Sequence, residues 1–176
     1  GLTLDCSAVT GGTADALRFD SCNDAHAHHL EVKSAKGSGI SFLNSDRSVA
    51  TDIRTSACTN WSVQLAGATG GKDAYVDNIH GSSNLSRVLV AKNQTDGQFS
   101  NIRGRTNAGE TALFLTCTGC TGANFTTDSN TAGDAFAVDG GSFNSFSNVI
   151  SRNHTGHGAT ISSGGGSAPS YVAIDG

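Results

Sequence analysis

The stretch Asp77-Asn78-Ile79-His80 returns as Ser100-Asn101-Ile102-Arg103 and again as Ala123-Asn124-Phe125-Thr126. Each return comes 23 residues after the previous one, and each places an asparagine directly before a large apolar residue. A fixed period of this length is the sequence signature of a repeat protein, in which each repeat stacks on the next. The pattern therefore predicts a solenoid rather than a globular domain with one closed core.

Two columns of apolar residues extend the repeat over nearly the whole chain. Both lie in short segments that alternate apolar and polar residues, as strands do. The columns are Phe19, Phe42, Leu65, Val90, Leu115, Val138, Ile161 and Val32, Ile53, Ile79, Ile102, Phe125, Val149, Ile174. They predict an all-β, single-domain solenoid over residues 1–176, with about seven coils of 23–25 residues.

A further asparagine recurs at steps of 23 or 24 residues, at Asn60, Asn84, Asn107, Asn130 and Asn153. Asparagine tolerates left-handed turns and bonds to nearby backbone, so we expect an internal ladder of stacked side chains. The coil length, strand pattern and ladder resemble the right-handed parallel β-helix of the pectate-lyase-like superfamily. They also resemble the β-helices of phage tail spikes and other extracellular fibres. These resemblances imply an extracellular, secreted or virion-surface location.

Composition excludes several function classes. Charged residues make up 15% of the chain and the net charge is −4, so nucleic acid is not the expected partner. No apolar run approaches the length of about 18 residues that a membrane-spanning helix needs. We therefore predict neither a nucleic-acid partner nor a membrane span.

A row of basic residues follows the second apolar column by one position: Lys33, Arg54, His80 and Arg103. The positions before that column hold Glu31 and Asp52, followed by amides. Rows on neighbouring coils lie about 4.8 Å apart, and arginine suits carboxylate and sulfate groups. The favoured interpretation of the row is a weakly stabilising ladder of surface ion pairs. The alternative is a groove for an anionic or hydroxyl-rich glycan, and its candidate residues are those named here.

Catalysis is the less favoured alternative. In the enzymes that the chain resembles, outer carboxylates bind Ca²⁺ and an arginine or lysine takes a proton, so Glu31, Asp52 and Arg54 could act in this way. Calcium needs six to eight oxygens, however, and two carboxylates are few. Asp20 and Asp139 share a strand position but lie five coils apart, too far for a glycosidase pair. We predict no catalytic residues and no required cofactor, with calcium as the open alternative.

Two smaller features concern modification and metals. Asn93, in a polar turn, is the best candidate among the N-glycosylation sequons. The group Asp24-Ala-His26-Ala-His28-His29 would place His26 and His28 on one face of a strand, but we expect it in a connection. Metal binding is therefore the less favoured interpretation, and no metal site is predicted.

Outward positions beside the first column become apolar midway, which predicts an interface at Leu43, Leu89 and Phe114. No capping segment is recognisable at either end, so the solenoid is expected to expose open strand edges. We therefore expect self-association, head to tail or as a side-by-side trimer. The favoured function is a structural or adhesive module of an extracellular fibre. The alternatives are a polysaccharide lyase or hydrolase and a glycan-binding module.

Overall fold

The computed structural model describes residues 1–163 and 170–175, which form β-strands and connections and no helix. In chain order the strands are β1 (Leu2–Asp5), β2 (Leu17–Asp20), β3 (His26–Lys33), β4 (Ile40–Leu43), β5 (Val49–Ser56), β6 (Val63–Ala66), β7 (Gly71–Lys72), β8 (Tyr75–Ser82) and β9 (Leu89–Lys92). They continue with β10 (Gln94–Thr95), β11 (Gln98–Arg105), β12 (Ala112–Leu115), β13 (Thr121–Asp128), β14 (Phe136–Asp139), β15 (Ser142–Arg152), β16 (Ala159–Ser162) and β17 (Ser170–Asp175).

Every strand pairing is parallel, as in a β-solenoid. The longer strands form an eight-stranded sheet in the order β1-β3-β5-β8-β11-β13-β15-β17. The shorter strands form a seven-stranded sheet in the order β2-β4-β6-β9-β12-β14-β16, and β7 pairs with β10. The predicted all-β solenoid is thus confirmed. It has about six turns rather than the seven predicted.

Most strands of the eight-stranded sheet bend at one residue with left-handed backbone. The bend falls at His29, Asp52, Asn78, Asn101, Asn124 and Asn148, with φ between 52° and 61°. Asparagine and aspartate adopt this conformation more readily than other non-glycine residues. The recurring asparagine before each apolar residue therefore marks the corner of the coil.

The core lies between the two sheets and is filled by apolar side chains from both. Phe114 is fully buried, and its ring centroid lies 4.4 Å from that of Phe146 and 4.9 Å from that of Phe99. Phe125 and Phe136 complete this aromatic cluster, with centroids 4.9 Å apart. Each coil contributes few core residues, so stability depends on contacts between neighbouring coils.

The predicted apolar columns are wrong at four positions. Val90 and Leu115 face outward, because Ala91 and Phe114 pair in register as the inward members. In the second column Leu30, not Val32, pairs with Ile53, and Ile174 pairs with Phe146 rather than Val149. A shift of one residue turns a side chain to the opposite face of a strand, whereas a shift of two keeps the face and changes the column.

Candidate anion-binding face

The strongest candidate site lies on the outer face of the eight-stranded sheet. Ile53, Ile79 and Ile102 are buried directly after the corner of their strands. Because successive strand residues point to opposite faces, the next residues point outward. These are Arg54, His80 and Arg103, which pair in register across β5, β8 and β11. The two arginines are two coils apart, about 9.6 Å along the stack.

The arginines of this face have no acidic partner. In the described part of the chain, no carboxylate lies within 4.0 Å of Arg54, Arg103 or Arg105. Glu31 is adjacent to Arg54 in register, but its Oε1 lies 3.2 Å from Lys33 Nζ and its Oε2 accepts a hydrogen bond from Thr3. Arg54 and Arg103 therefore keep their hydrogen-bond donors for an external anion, whereas Arg105 has Asp128 beside it in register on β13.

These side chains line a cleft of about 590 Å³. Its lining includes Glu31, Arg54, His80, Arg103 and Arg105, with Ser56 and Ser82 beside them. Arg105 follows Arg103 by two residues and so shares its face, a relationship that strand alternation could have revealed from sequence. We call the set Arg54, His80, Arg103 and Arg105 the cationic face.

Burial lowers the pKa of His80 below its usual value, and the positive charges of Arg103 and Arg54 lower it further. His80 is consequently neutral at pH 7 and adds a polar group rather than a charge. The charge of this face at neutral pH comes from the arginines alone.

The remaining members of the predicted groove lie beside this face or outside it. Lys33 pairs in register with Ser56, so it belongs to the row of Ser82 and Arg105 and not to the row of Arg54. Asp52 lies at the corner, where its Oδ1 accepts a 2.6 Å hydrogen bond from Asn78. The corner amides continue as an exposed ladder, in which Asn148 donates to Asn124 at 2.7 Å and Asn124 donates to Asn101 at 3.0 Å.

The internal asparagine ladder has three of the five predicted members. The buried side chains of Asn84, Asn107 and Asn130 accept hydrogen bonds from the preceding coil, as in the 3.0 Å bond from Asn84 N to Asn107 Oδ1. Asn60 is half-buried and lies two residues after Cys58, whose backbone nitrogen donates to Asn84. Asn153 is exposed and donates to Asp128 at 3.3 Å. The residue that donates to Asn84 is therefore Cys58, because the spacing between these two coils is 26 residues rather than 23. Asn60 lies outside the ladder.

The predicted interface residues do not form one outer surface. Leu89 and Phe114 are fully buried in the core, so their assignment to an outer interface was wrong; only Leu43 faces outward. The outer face of the seven-stranded sheet is instead a groove of about 940 Å³. Its apolar lining is Ala66, Val90, Leu113, Leu115 and Ala137, and its rim carries Trp61, Arg87, Glu110 and Asp134.

Three of the charged side chains that line this groove, Arg87, Glu110 and Asp134, are already paired. Arg87 Nη2 donates to Glu110 Oε1 at 3.3 Å, and Asp134 Oδ1 lies 2.9 Å from His157 Nδ1. Asp20 lies at one end of the seven-stranded sheet, where it pairs in register with Leu43. Asp139 lies near the other end, where it pairs with Leu115 and Ser162. These two carboxylates are therefore too far apart to act together. Among the described residues, Asp139 is the one carboxylate of the groove without an ion pair, so the groove lacks the two free carboxylates that glycosidases use.

The other predicted features have the following positions. Asn93 is half-buried, and its Nδ2, the atom that would carry a glycan, donates to Gly67 O at 3.1 Å.

His26, His28 and His29 lie on strand β3, not in a connection. Within residues 1–163 and 170–175, no group of three or more His, Cys, Asp or Glu side chains could hold a metal ion. All five cysteines are free thiols, and burial raises the pKa of Cys58 to about 11.

No protein-family model, curated protein or solved structure matches this chain. Function must therefore be inferred from the fold and the geometry of its surface. The described residues also contain no helix with the length and hydropathy needed to cross a membrane.

Proposed function

We propose that this chain is an adhesive β-solenoid module of an extracellular fibre, and that its cationic face binds an anionic polysaccharide. The observation that carries the proposal is the alignment of Arg54 on β5 and Arg103 on β11, on either side of His80, in a protein with net charge −4. Neither arginine has a carboxylate within 4.0 Å in the described part of the chain. Arginine presents a planar fork of donors that matches carboxylate and sulfate groups. Repeating cations on a rigid parallel sheet suit a ligand whose charges also repeat.

The proposal also includes a superfamily, a role in a fibre and self-association. A right-handed β-helix of the pectate-lyase-like superfamily, with the role of a tail-spike or surface fibre, fits the parallel coils and the asparagine ladder. Self-association head to tail or as a trimer is part of this fibre hypothesis. Sedimentation and electron microscopy at working concentration test it directly, because compact monomers would exclude assembly.

Arg54→Ala and Arg103→Ala are each expected to weaken binding to polygalacturonate or dextran sulfate about tenfold, which corresponds to about 1.4 kcal/mol. Each variant removes one set of donors from the cationic face. Binding is measured by affinity electrophoresis or calorimetry, with uncharged dextran as the ligand control. Arg18→Ala is the matched protein control, because Arg18 lies on the other sheet and is paired with Asp20 at 2.7 Å. Equal binding by all three variants would exclude the cationic face.

Binding to dextran sulfate is expected to strengthen as the pH falls from 7 to 5. The pKa of His80 lies below its usual value of 6.5, so its charge appears only below that pH. The sulfate groups stay ionised throughout, and the added imidazolium becomes a further cation between Arg54 and Arg103. His80→Ala should remove most of the increase. An increase of the same size in His80→Ala would assign it to other histidines.

A polysaccharide lyase is the second candidate, and the neutral His80 between two arginines is the observation that favours it. Arginines would neutralise a uronate carboxylate while the neutral imidazole removes the proton on the adjacent carbon. The electron pair of that C–H bond forms the double bond as the bond to the glycosidic oxygen breaks, and the leaving oxygen takes up a proton from the imidazolium or from water. Lyase cleavage leaves a carbon–carbon double bond in the product, which absorbs ultraviolet light. Incubation with polygalacturonate or alginate therefore separates the two functions: new absorbance that His80→Ala abolishes would support the enzyme, and binding without new absorbance would support the adhesive module.

A further inference from the structure

We propose that His28 and His29 form an open binding site for a divalent transition-metal ion of the Zn²⁺ type. The site lies at the corner of strand β3 and borders the cationic face, because His29 lines the same small pocket as Arg54 and His80. The proposal concerns a second ligand class and does not depend on polysaccharide binding.

The corner geometry brings two consecutive imidazoles together. Neighbouring strand residues normally point to opposite faces. His29, however, has left-handed backbone with φ 56°, which turns its side chain toward that of His28. The two rings stand at 89° with centroids 5.3 Å apart, and the two Nδ1 atoms are 3.2 Å apart.

The separation of the Nδ1 atoms suits a shared metal ion. Zinc–imidazole bonds of about 2.0–2.1 Å at a tetrahedral angle place two nitrogens about 3.3–3.4 Å apart. The observed 3.2 Å requires only a small adjustment of two exposed rings. Water would complete the coordination, because the protein provides two ligands at this point.

The far nitrogen of His29 lies near a carboxylate, just beyond hydrogen-bond distance. Metal-ligating imidazoles almost always donate their other N–H to a carboxylate, carbonyl or water. His29 Nε2 lies 3.6 Å from Asp52 Oδ2. The other oxygen of Asp52 is held by Asn78 at 2.6 Å, so the carboxylate is oriented before any metal binds.

A simple hydrogen bond between the two imidazoles would explain the 3.2 Å contact without metal, and a titration separates the two explanations. Calorimetric titration of the full chain with Zn²⁺ in a non-chelating buffer should show one ion per chain. Nitrogen NMR of the imidazoles should place the ion on the Nδ1 atoms of His28 and His29. His28→Ala and His29→Ala should each weaken the binding at least tenfold.

Asp52→Asn tests the orienting carboxylate and should weaken Zn²⁺ binding about tenfold, the lower end of the range for such partners. His26→Ala is the matched control, because His26 lies on the same strand, two residues before His28, and should leave binding unchanged. Circular dichroism verifies that each variant is folded. The proposal would be overturned if the native chain did not bind Zn²⁺, or if the His28→Ala and His29→Ala variants bound it as tightly as the native chain does.

Discussion

Phe114→Ala is expected to lower the free energy of unfolding by about 3–5 kcal/mol, the usual range for a fully buried phenylalanine. Phe114 lies at the centre of the aromatic cluster, with ring centroids 4.4 Å from Phe146, 5.6 Å from Phe136 and 5.9 Å from Phe125. Because these partners belong to several coils, the cavity would disrupt stacking on both sides. Urea unfolding followed by circular dichroism measures the loss.

Leu115→Ala is the matched control, since Leu115 is the next residue and faces the outer groove. Its side chain is half-buried, so truncation should cost about 1 kcal/mol. The pair of variants also tests the register of β12. A larger loss for Leu115→Ala than for Phe114→Ala would mean that the strand faces the opposite way.

The same strand shows why periodicity predicts the solenoid but not every inward residue. The period of about 23 residues does not depend on which residue of a strand points inward, because each coil must return to the same sheet. The choice of face depends on alternation, and Ala112-Leu113-Phe114-Leu115 is apolar throughout. Leu113 and Leu115 line an outer groove, so hydrophobicity alone could not distinguish the two faces.

The cationic face was partly predictable for a related reason. Arg54, His80 and Arg103 follow an unambiguous isoleucine, and the structure pairs them in register. Lys33 was misplaced because Leu30 and Val32 both point inward, and either could have continued the column. The absence of acidic partners around Arg54 depends on where Lys33 holds Glu31, which only the three-dimensional structure shows.

The histidine pair was unpredictable as a contact between consecutive residues. Strand alternation suggested His26 and His28 as the pair on one face. The left-handed corner at His29 changes the direction of one side chain and brings His28 and His29 together instead. The corners of the neighbouring strands are occupied by asparagine or aspartate, so the residue type of His29 does not identify it as a corner. Only the register of β3 with β5, which places His29 beside Asp52, shows that it is one.

Asn107→Ala is expected to destabilise the protein by about 3 kcal/mol or more, because it leaves several buried polar groups without partners at about 1–3 kcal/mol each. Asn107 is fully buried. Its Oδ1 accepts from Asn84 N at 3.0 Å and from Asn84 Nδ2 at 2.9 Å, and its Nδ2 donates to Gly81 O at 3.1 Å. Truncation would remove these three bonds, and a fourth from Nδ2 to Asn130 Oδ1 at 3.4 Å, while water has no access to replace them.

Asn153→Ala separates this effect from the general cost of losing an asparagine at a turn. Asn153 is exposed, has left-handed backbone with φ 50° and makes one side-chain bond, so alanine should cost only about 1 kcal/mol there. Denaturant unfolding of both variants gives the comparison. Equal losses would mean that the buried ladder bonds of Asn107 contribute no more than one exposed asparagine at a turn. A much larger loss for Asn107→Ala would show that hydrogen bonds between coils, as well as the aromatic core, hold the solenoid together.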